Sequence, residues 1–243
     1  MAAQGGLHAL ALTDHDLPPA LPQGAARAAG RPIWVVHGVE ISTEHRGTEQ
    51  HLLVWFRGEM PAAFASFCRE LCRARAARYG AAVEAIGLGL APPGPEALAG
   101  ERSLTRYHLA SALVAGGHAP GLGEAFARWA GEGCGFVPPI GLTLARAIAE
   151  ARDAGGYTAW AHPDPALVPV WVAELAAAGL HALEVHRPGL NRGHRDRLAR
   201  LAFNHGLGVT GGSDWHGWAG GALGAFSLAR TGVEDAAVAL GLA

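Results

Sequence analysis

The chain has 243 residues, of which 50% are hydrophobic and 16% are charged. This composition supports a buried core and excludes an intrinsically disordered chain, and the length fits one α/β barrel without a second domain. The formal net charge of −2 disfavours a basic surface for stable duplex nucleic-acid binding. The chain opens without a secretory signal pattern and contains no apolar run of about 18 residues, so we expect a soluble cytoplasmic protein with no membrane partner.

Apolar strand-like runs alternate with alanine-rich helical runs along the chain, which predicts an α/β fold with a largely parallel sheet. The predicted strands cover residues 8–13, 33–41, 50–56, 157–161, 181–186 and 207–211. The predicted helices between them cover residues 18–29, 143–154, 168–178 and 191–205. Glycines follow the last three of these helices, which fits the preference for glycine just beyond a helix C terminus.

Residues 60–140 differ from the rest because they contain helical stretches, a loop rich in Pro and Gly, and no clear strand. We interpret them as a helical insertion within one barrel domain that is formed by residues 1–59 and 141–243. The first helical stretch carries four arginines, which indicate either a solvated helix face or a rim that attracts phosphate. They are Arg69, Arg73, Arg75 and Arg78.

Ligand-type side chains stand where the predicted strands end. His15 and His162 each follow an apolar run, and Glu40 lies near the end of another. In a parallel α/β barrel these strand ends share one face, where catalytic residues collect. His51 begins the strand after the one that holds Glu40. An antiparallel pairing of the two strands would therefore bring His51 towards Glu40.

Asp214 and His216 stand two residues apart after the last predicted strand. In extended backbone this spacing points both side chains to one side, so the pair predicts a two-ligand clip. Mixed histidine and carboxylate ligands suit Zn, Mn or Fe better than Mg or Ca. Any one of these motifs is equally compatible with a structural role, but their recurrence at successive strand ends predicts a metal site.

Five short motifs resemble, in order and spacing, those of the PHP (polymerase and histidinol phosphatase) superfamily. They are Thr13-Asp14-His15-Asp16, Gly38-Val39-Glu40-Ile41-Ser42, His51-Leu52-Leu53, Ala161-His162-Pro163 and Gly211-Gly212-Ser213-Asp214-Trp215-His216-Gly217. The stretch 104–110 is similar to a helix start in one branch of that superfamily. The branch contains the 3',5'-nucleoside bisphosphate phosphatases and the RNase AM-like 5'-3' exoribonucleases.

The resemblance implies a distorted (β/α)7 TIM-like barrel with two or three divalent metal ions (Mn, Fe or Zn), which hydrolyses phosphate esters with a metal-activated water. The implied metal ligands are His15, Glu40, His51, His162, Asp214 and His216. Asp14, His15, Glu40 and Asp214 are the implied catalytic residues, with Glu40 bridging metals and Asp14 orienting a histidine. The implied substrate is a phosphorylated nucleotide or the 5' end of a short oligonucleotide, and no obligate protein partner is indicated.

Four residues are candidate substrate contacts. The resemblance implies that Arg106 and His108 contact the substrate phosphate. His186 ends the fifth predicted strand two residues after Glu184, so the two side chains should share a face. His194 lies near the start of a helix that carries several arginines, where it is either a substrate contact or an exposed residue.

The sequence also departs from the PHP pattern. Members of the superfamily open with a strand that bears H-x-H, followed shortly by an Asp or His, and neither is found here. The barrel is therefore expected to be N-terminally truncated, with an unpaired sheet edge. Either the natural protein starts upstream and is a normal enzyme, or the chain is a catalytically impaired remnant that binds a nucleotide or a partner. A third hypothesis is an amidohydrolase-type metal hydrolase, which the Asp214–His216 and Glu40–His51 pairs disfavour.

Overall fold

A mixed seven-stranded sheet lies at the centre of the computed structural model, which describes residues 6–28, 30–217 and 223–242. The strands are β1 (Ala9–Leu12), β2 (Gly24–Ala28), β3 (Arg31–His45), β4 (Thr48–Phe56), β5 (Tyr157–Trp160), β6 (Ala182–His186) and β7 (Gly208–Gly211). Their spatial order is β1-β3-β4-β5-β6-β7, with β2 also paired to β3. β4 runs antiparallel to both of its neighbours, and β2 runs antiparallel to β3, whereas the other pairs are parallel.

Helices occupy the long connection after β4 and the connections between the later strands. Those after β4 are α1 (Ala62–Ile86), α2 (Pro95–Ala99), α3 (Arg106–Ala115) and α4 (Leu122–Ala125), followed by a π-helical turn (Phe126–Ala130) and a 3-10 turn (Glu132–Cys134). The others are α5 (Leu144–Asp153), α6 (Val168–Ala177), α7 (Arg192–Asn204), a 3-10 turn (Arg230–Gly232) and α8 (Glu234–Ala239). Within the described ranges, no helix combines the length and apolar character needed to cross a membrane.

Successive side chains along each strand point to opposite faces of the sheet. On one face, Val39, Ile41 and Leu52 pack with side chains of α5, α6 and α7 in the main hydrophobic core. The first half of α1 joins this core through Phe64 and Cys68. This layer of helices covers one face of the sheet and leaves the other face free to line a cavity.

The second face of the sheet carries small, acidic and larger apolar side chains that border a cavity. Ala161, Glu40 and Glu184 are among the residues that border a cavity of about 1090 Å³ on this side. Ala159 and Ala182 belong to a small buried cluster on the same face. Because these side chains are short, this face leaves an open space above the middle of the sheet.

The predicted closed barrel is not confirmed, because the described strands form an open sheet. β1 pairs only with β3, and β7 pairs only with β6, among the strands that the structure describes. Residues of both strands line the cavity. Among the described strands, β1 and β7 therefore lie at the two edges of the sheet, and the coarser prediction of a mixed α/β fold around a central sheet is confirmed.

The predicted helix over residues 18–29 is wrong. Residues 24–28 form β2, which pairs antiparallel with Arg31–Val35 of β3, and Gly30 adopts a left-handed conformation in the intervening turn. Alanine is the strongest helix former, but intrinsic propensity is a small local preference, and pairing with the long strand β3 outweighs it here. β3 itself extends from Arg31 to His45, well beyond the predicted residues 33–41.

The remaining predicted strands and helices are found with shifts of a few residues at their ends. Gly155, Gly179 and Gly206 have positive φ angles of 76°, 94° and 68° after α5, α6 and α7, as expected for glycines that end helices. Between residues 60 and 140 the structure has the helices named above and none of the seven strands. There, Ala82 and Val83 of α1 pack with Leu109 of α3 in a second small core.

Candidate metal centre

The centre of the site is formed where the segment after β1 runs beside the middle of β3. His15 and Glu40 form a parallel β-bridge. The backbone N–H of Asp16 donates to the Glu40 carbonyl oxygen at 2.9 Å, and the N–H of Glu40 donates to the Asp14 carbonyl oxygen at 3.3 Å. Glu40 therefore lies within a strand rather than near its end, and the backbone itself fixes His15 beside it.

The antiparallel pairing of β3 with β4 brings His51 to Glu40, as the sequence predicts. Ser42 is the register partner of His51, and Glu40 is the partner of Leu53, so Glu40 and His51 are diagonal neighbours on one face. His51 Nδ1 lies 2.8 Å from Glu40 Oε1. Strand pairing thus converts an eleven-residue separation in sequence into direct contact.

His162 joins the same centre from the end of β5. Its Nε2 lies 3.0 Å from Glu40 Oε1 and 2.9 Å from His51 Nδ1. Its backbone has a φ of 31°, which is unusual for a residue other than glycine. Two imidazole nitrogens and one carboxylate oxygen therefore converge on a common point.

Three of these side chains meet the distance requirement of a metal site. The ligand atoms of His15, Glu40 and His51 lie within 4.8 Å of one another. His15 Nδ1 is buried and has no hydrogen-bond partner within the protein. A buried nitrogen that has no hydrogen-bond partner is energetically costly unless it binds a ligand. Together with the imidazole and carboxylate donors beside it, this nitrogen fits a divalent transition metal.

Burial and mutual contacts shift the pKa values of Glu40, His51 and His15. Burial opposes ionisation of Glu40, but hydrogen bonds from His162 and His51 outweigh it and hold the pKa of this carboxyl well below its usual range. Burial also opposes protonation of His51, yet Glu40 and Glu49 raise its pKa to about 9. Burial lowers the pKa of His15 to about 4, so its ring is neutral and available as a ligand at pH 7.

Asp214 and His216 lie beyond β7 and are less enclosed. Asp214 is exposed and has a φ of 49°, so the extended backbone expected for this pair is wrong. The two side chains are nevertheless adjacent, with His216 Nδ1 3.4 Å from Asp214 Oδ1. The ring centroids of His216 and His15 are 5.7 Å apart, which places the pair beside the His15–Glu40–His51 centre rather than within it.

A buried network from α1 supports the segment that carries His15. Asp16, which is 2% exposed, accepts a hydrogen bond from the Ser42 backbone N–H at 2.8 Å and one from Arg75 Nε. Arg75 also donates to the Ser42 hydroxyl, and the Cys72 thiol donates to the Asp16 carbonyl oxygen at 3.1 Å. Arg75 is thus neither on a solvated helix face nor on a phosphate rim, because the carboxylate of Asp16 holds it inside the protein.

No family model matches the chain, but sequence relatives and solved structures do. The chain is 33% identical over 220 residues to the 5'-3' exoribonuclease Rnm of Salmonella typhimurium, covering 85% of this chain and 74% of that protein. It is 30% identical over 217 residues to the 3',5'-nucleoside bisphosphate phosphatase of Chromobacterium violaceum, covering 85% of this chain and 76% of that protein. The chain belongs to the PHP superfamily of metal-dependent phosphoesterases.

A solved structure agrees with this assignment. The chain superposes on a protein from Bifidobacterium adolescentis, described as a metal-dependent phosphoesterase, with a TM-score of 0.74 and 26% sequence identity. The superposition covers 98% of this chain and 88% of that protein. The predicted hydrolase of phosphate esters is therefore confirmed at the level of the PHP superfamily and its reaction class.

The two substrate contacts that the PHP resemblance implies lie on α3. Arg106 Nη2 is 2.8 Å from Glu49 Oε2, and Glu49 Oε1 is 3.5 Å from His51 Nε2. Burial opposes ionisation of Glu49, but His51 and Arg106 lower its pKa to about 2. His108 lines the cavity, and its Nδ1 accepts the Thr105 backbone N–H at the start of α3.

Of the four candidate substrate contacts, only His108 lines the cavity, whereas Arg106, His186 and His194 do not. A register irregularity lies between Glu184 and His186 in the pairing of β6 with β7. The simple alternation that predicts a shared face fails there, so Glu184 lines the cavity and His186 does not. His194 is exposed at the start of α7 and is also absent from the cavity lining. Asp14 lines the cavity with an exposed side chain, and its catalytic role stays a prediction.

Sequence reasoning did not identify Glu49 beside the candidate metal centre, nor the pairing of Asp16 with Arg75 behind it. Glu49 could have been found, because it stands two residues before His51 and therefore shares its face of β4. The Asp16–Arg75 pair joins residues 59 positions apart, and no local pattern in the sequence indicates it.

Proposed function

We propose that this PHP protein removes a phosphate group from a nucleotide or from the end of a short RNA, at the cavity above Glu40. The observation that carries the proposal is the convergence of His15, Glu40 and His51, with a buried His15 nitrogen that has no partner within the protein. The 5'-3' exoribonuclease and the 3',5'-nucleoside bisphosphate phosphatase among its relatives support this class of substrate.

His15, Glu40, His51 and His162 are proposed to hold divalent ions, with Asp214 and His216 completing the ligand set from β7. When bound, such ions supply Lewis-acid activation of water and of the phosphoryl group. The mixture of imidazole and carboxylate donors suits Mn, Fe or Zn, and we propose two or three ions.

The protein itself contributes position and charge. The backbone bridge between His15 and Glu40, together with the pairing of β3 and β4, fixes the ligand side chains before any substrate arrives. Such preorganisation is what electrostatic stabilisation of a transition state requires. We propose that Arg106, which pairs with Glu49, supplies a positive group on the α3 side of the site that suits a phosphate oxygen.

Metal content and turnover test the proposal directly. The purified chain, supplied with Mn²⁺, should carry at least one ion in elemental analysis and should release phosphate from a 3',5'-nucleoside bisphosphate or shorten a 5'-phosphorylated trinucleotide. His162→Ala should abolish turnover while circular dichroism shows that the fold is retained. Full turnover by the metal-loaded His162→Ala protein would overturn the ligand assignment.

The competing hypotheses predict different results in the same assays. An impaired remnant would bind the nucleotide without turnover at saturating Mn²⁺, whereas an amidohydrolase would turn over cyclic amides and leave phosphate esters intact. For the phosphoesterase, Arg106→Met should raise KM about tenfold with a smaller change in kcat, because the lost contact is made to the phosphate already in the ground state. An unchanged KM would remove Arg106 from the substrate site.

A further inference from the structure

Glu184 in β6 and Arg187 directly after this strand contact the backbone on both sides of His162. The Glu184 carboxylate accepts the His162 backbone N–H at 2.6 Å. The Arg187 guanidinium donates to the carbonyl oxygens of His162 and Pro163, each at 3.1 Å. The peptide groups before and after His162 are therefore held by a carboxyl group in β6 and by a guanidinium directly after it.

The backbone of His162 requires such support. Its φ of 31° is positive, which is uncommon for residues other than glycine even though asparagine, aspartate and histidine adopt positive φ more often than the rest. Pro163 follows it, and a residue before proline is normally restricted to extended backbone. A sparsely populated conformation of this kind persists only when the surrounding structure fixes it.

Glu184 is otherwise an unusual residue for its position. It is only 3% exposed, so its carboxyl group is buried beside the cavity. A Cβ atom placed on Gly212 would lie 2.8 Å from Glu184 Oε1, so this oxygen packs closely on the segment that leads to Asp214. Burying a carboxylate has a large desolvation cost. The hydrogen bond that Glu184 accepts comes from the backbone of a candidate metal ligand.

We propose that Glu184 and Arg187 are positioning residues that hold the His162 backbone in its left-handed conformation and so aim its imidazole at Glu40. The proposal rests on the proposed function of His162 as a ligand. Neither residue needs to touch the substrate, because each acts through the peptide groups of His162. Loss of a residue that orients a ligand typically weakens metal binding or activity by about 10–100-fold.

The test compares variants that remove or retain the hydrogen bonds. Glu184→Ala removes the acceptor, whereas Glu184→Gln keeps an acceptor oxygen without the charge, and Arg187→Met removes the donors. Glu150→Ala and Arg146→Met are matched controls, because these residues form an exposed pair on α5. For each protein we would measure the amide hydrogen exchange of His162 by NMR, the Mn²⁺ affinity by calorimetry, and kcat and KM.

In Glu184→Ala we expect faster exchange of the His162 amide, Mn²⁺ affinity that is weaker by about 10–100-fold, and a lower kcat with little change in KM. Glu184→Gln should restore slow exchange and most of the affinity, and Arg187→Met should weaken affinity in the same range. Unchanged exchange in Glu184→Ala would overturn the proposal. So would a Glu184→Gln protein as impaired as Glu184→Ala, because the charge would then matter rather than the hydrogen bond.

A failure of the proposed function can be distinguished from a failure of the positioning role of Glu184 and Arg187. If the wild-type chain binds no Mn²⁺ and hydrolyses no phosphate ester, the proposed function fails, and the exchange of the His162 amide alone decides the positioning role. If Glu184→Ala does not fold, Glu184→Gln and Arg187→Met carry the same comparison, and an Arg187→Met protein indistinguishable from Arg146→Met would overturn the role of Arg187.

Discussion

Five of the six ligand candidates fall into two regions whose side chains are fixed in different ways. His15, Glu40 and His51 form a strand-held centre, in which backbone pairing of β3 with β4 and with the segment after β1 fixes the side chains. Asp214 and His216 form a loop-held pair after β7, a strand that pairs on one side only among those described. The difference teaches that a polar cluster in the middle of a sheet is preorganised, whereas one at an open edge depends on local contacts.

The largest expected effect comes from removing the charge at the strand-held centre. Glu40→Gln keeps the shape of the side chain but leaves three histidines around a neutral amide. We expect kcat to fall on the order of 10⁴-fold, as for loss of a central catalytic group, together with loss of Mn²⁺ binding. Steady-state kinetics and calorimetry measure both quantities.

Glu44→Gln is the control for this prediction, because Glu44 lies on the same strand and does not line the cavity. It should turn over like the wild type. A Glu40→Gln protein that binds Mn²⁺ with unchanged affinity would show that the strand-held centre is not the ion site.

The next largest effect is on the free energy of unfolding, through the Asp16–Arg75 pair that supports the segment carrying His15. Asp16→Asn tolerates the left-handed φ of 56° but leaves Arg75 buried without its anionic partner. We expect the free energy of unfolding to fall by about 3–5 kcal/mol, the usual cost of an uncompensated buried charge. Urea denaturation of the metal-free protein measures it.

The exposed pair of Arg146 and Glu150 provides the comparison for this stability effect. Glu150→Gln should change the free energy of unfolding by less than about 1 kcal/mol, because exposed ion pairs contribute little. If Asp16→Asn were equally mild, the Asp16–Arg75 pair would not stabilise the segment that carries His15.

The smallest expected effect comes from the loop-held pair. Asp214→Asn keeps a residue type that tolerates the φ of 49° and removes one carboxylate. We expect kcat to fall by about 100-fold while the affinity for the tightest Mn²⁺ ion stays within about threefold of wild type, since the strand-held centre is intact. An Asp214→Asn protein that loses all Mn²⁺ binding would show that the two regions form one inseparable site.

Much of the site could be predicted because strands end in recognisable places. His15, His162, Asp214 and His216 were assigned from the residues that follow apolar runs, and Glu40 with His51 from the length of a hairpin. The prediction failed at His186, because a register irregularity in β6 breaks the alternation of faces. It also failed at residues 18–29, where pairing with β3 outweighs the helical preference of alanine.

The amino-acid sequence by itself determined the order of strands and helices outside residues 18–29, the ligand types and the PHP motifs, because these depend on local spacing and on side-chain chemistry. Tertiary structure alone decided that the described sheet is open, that Arg75 is buried against Asp16, and that Glu184 and Arg187 enclose the backbone of His162. These contacts join residues that lie far apart in the chain or follow an irregular strand. Their energies therefore depend on the completed packing, which no periodicity in the sequence encodes.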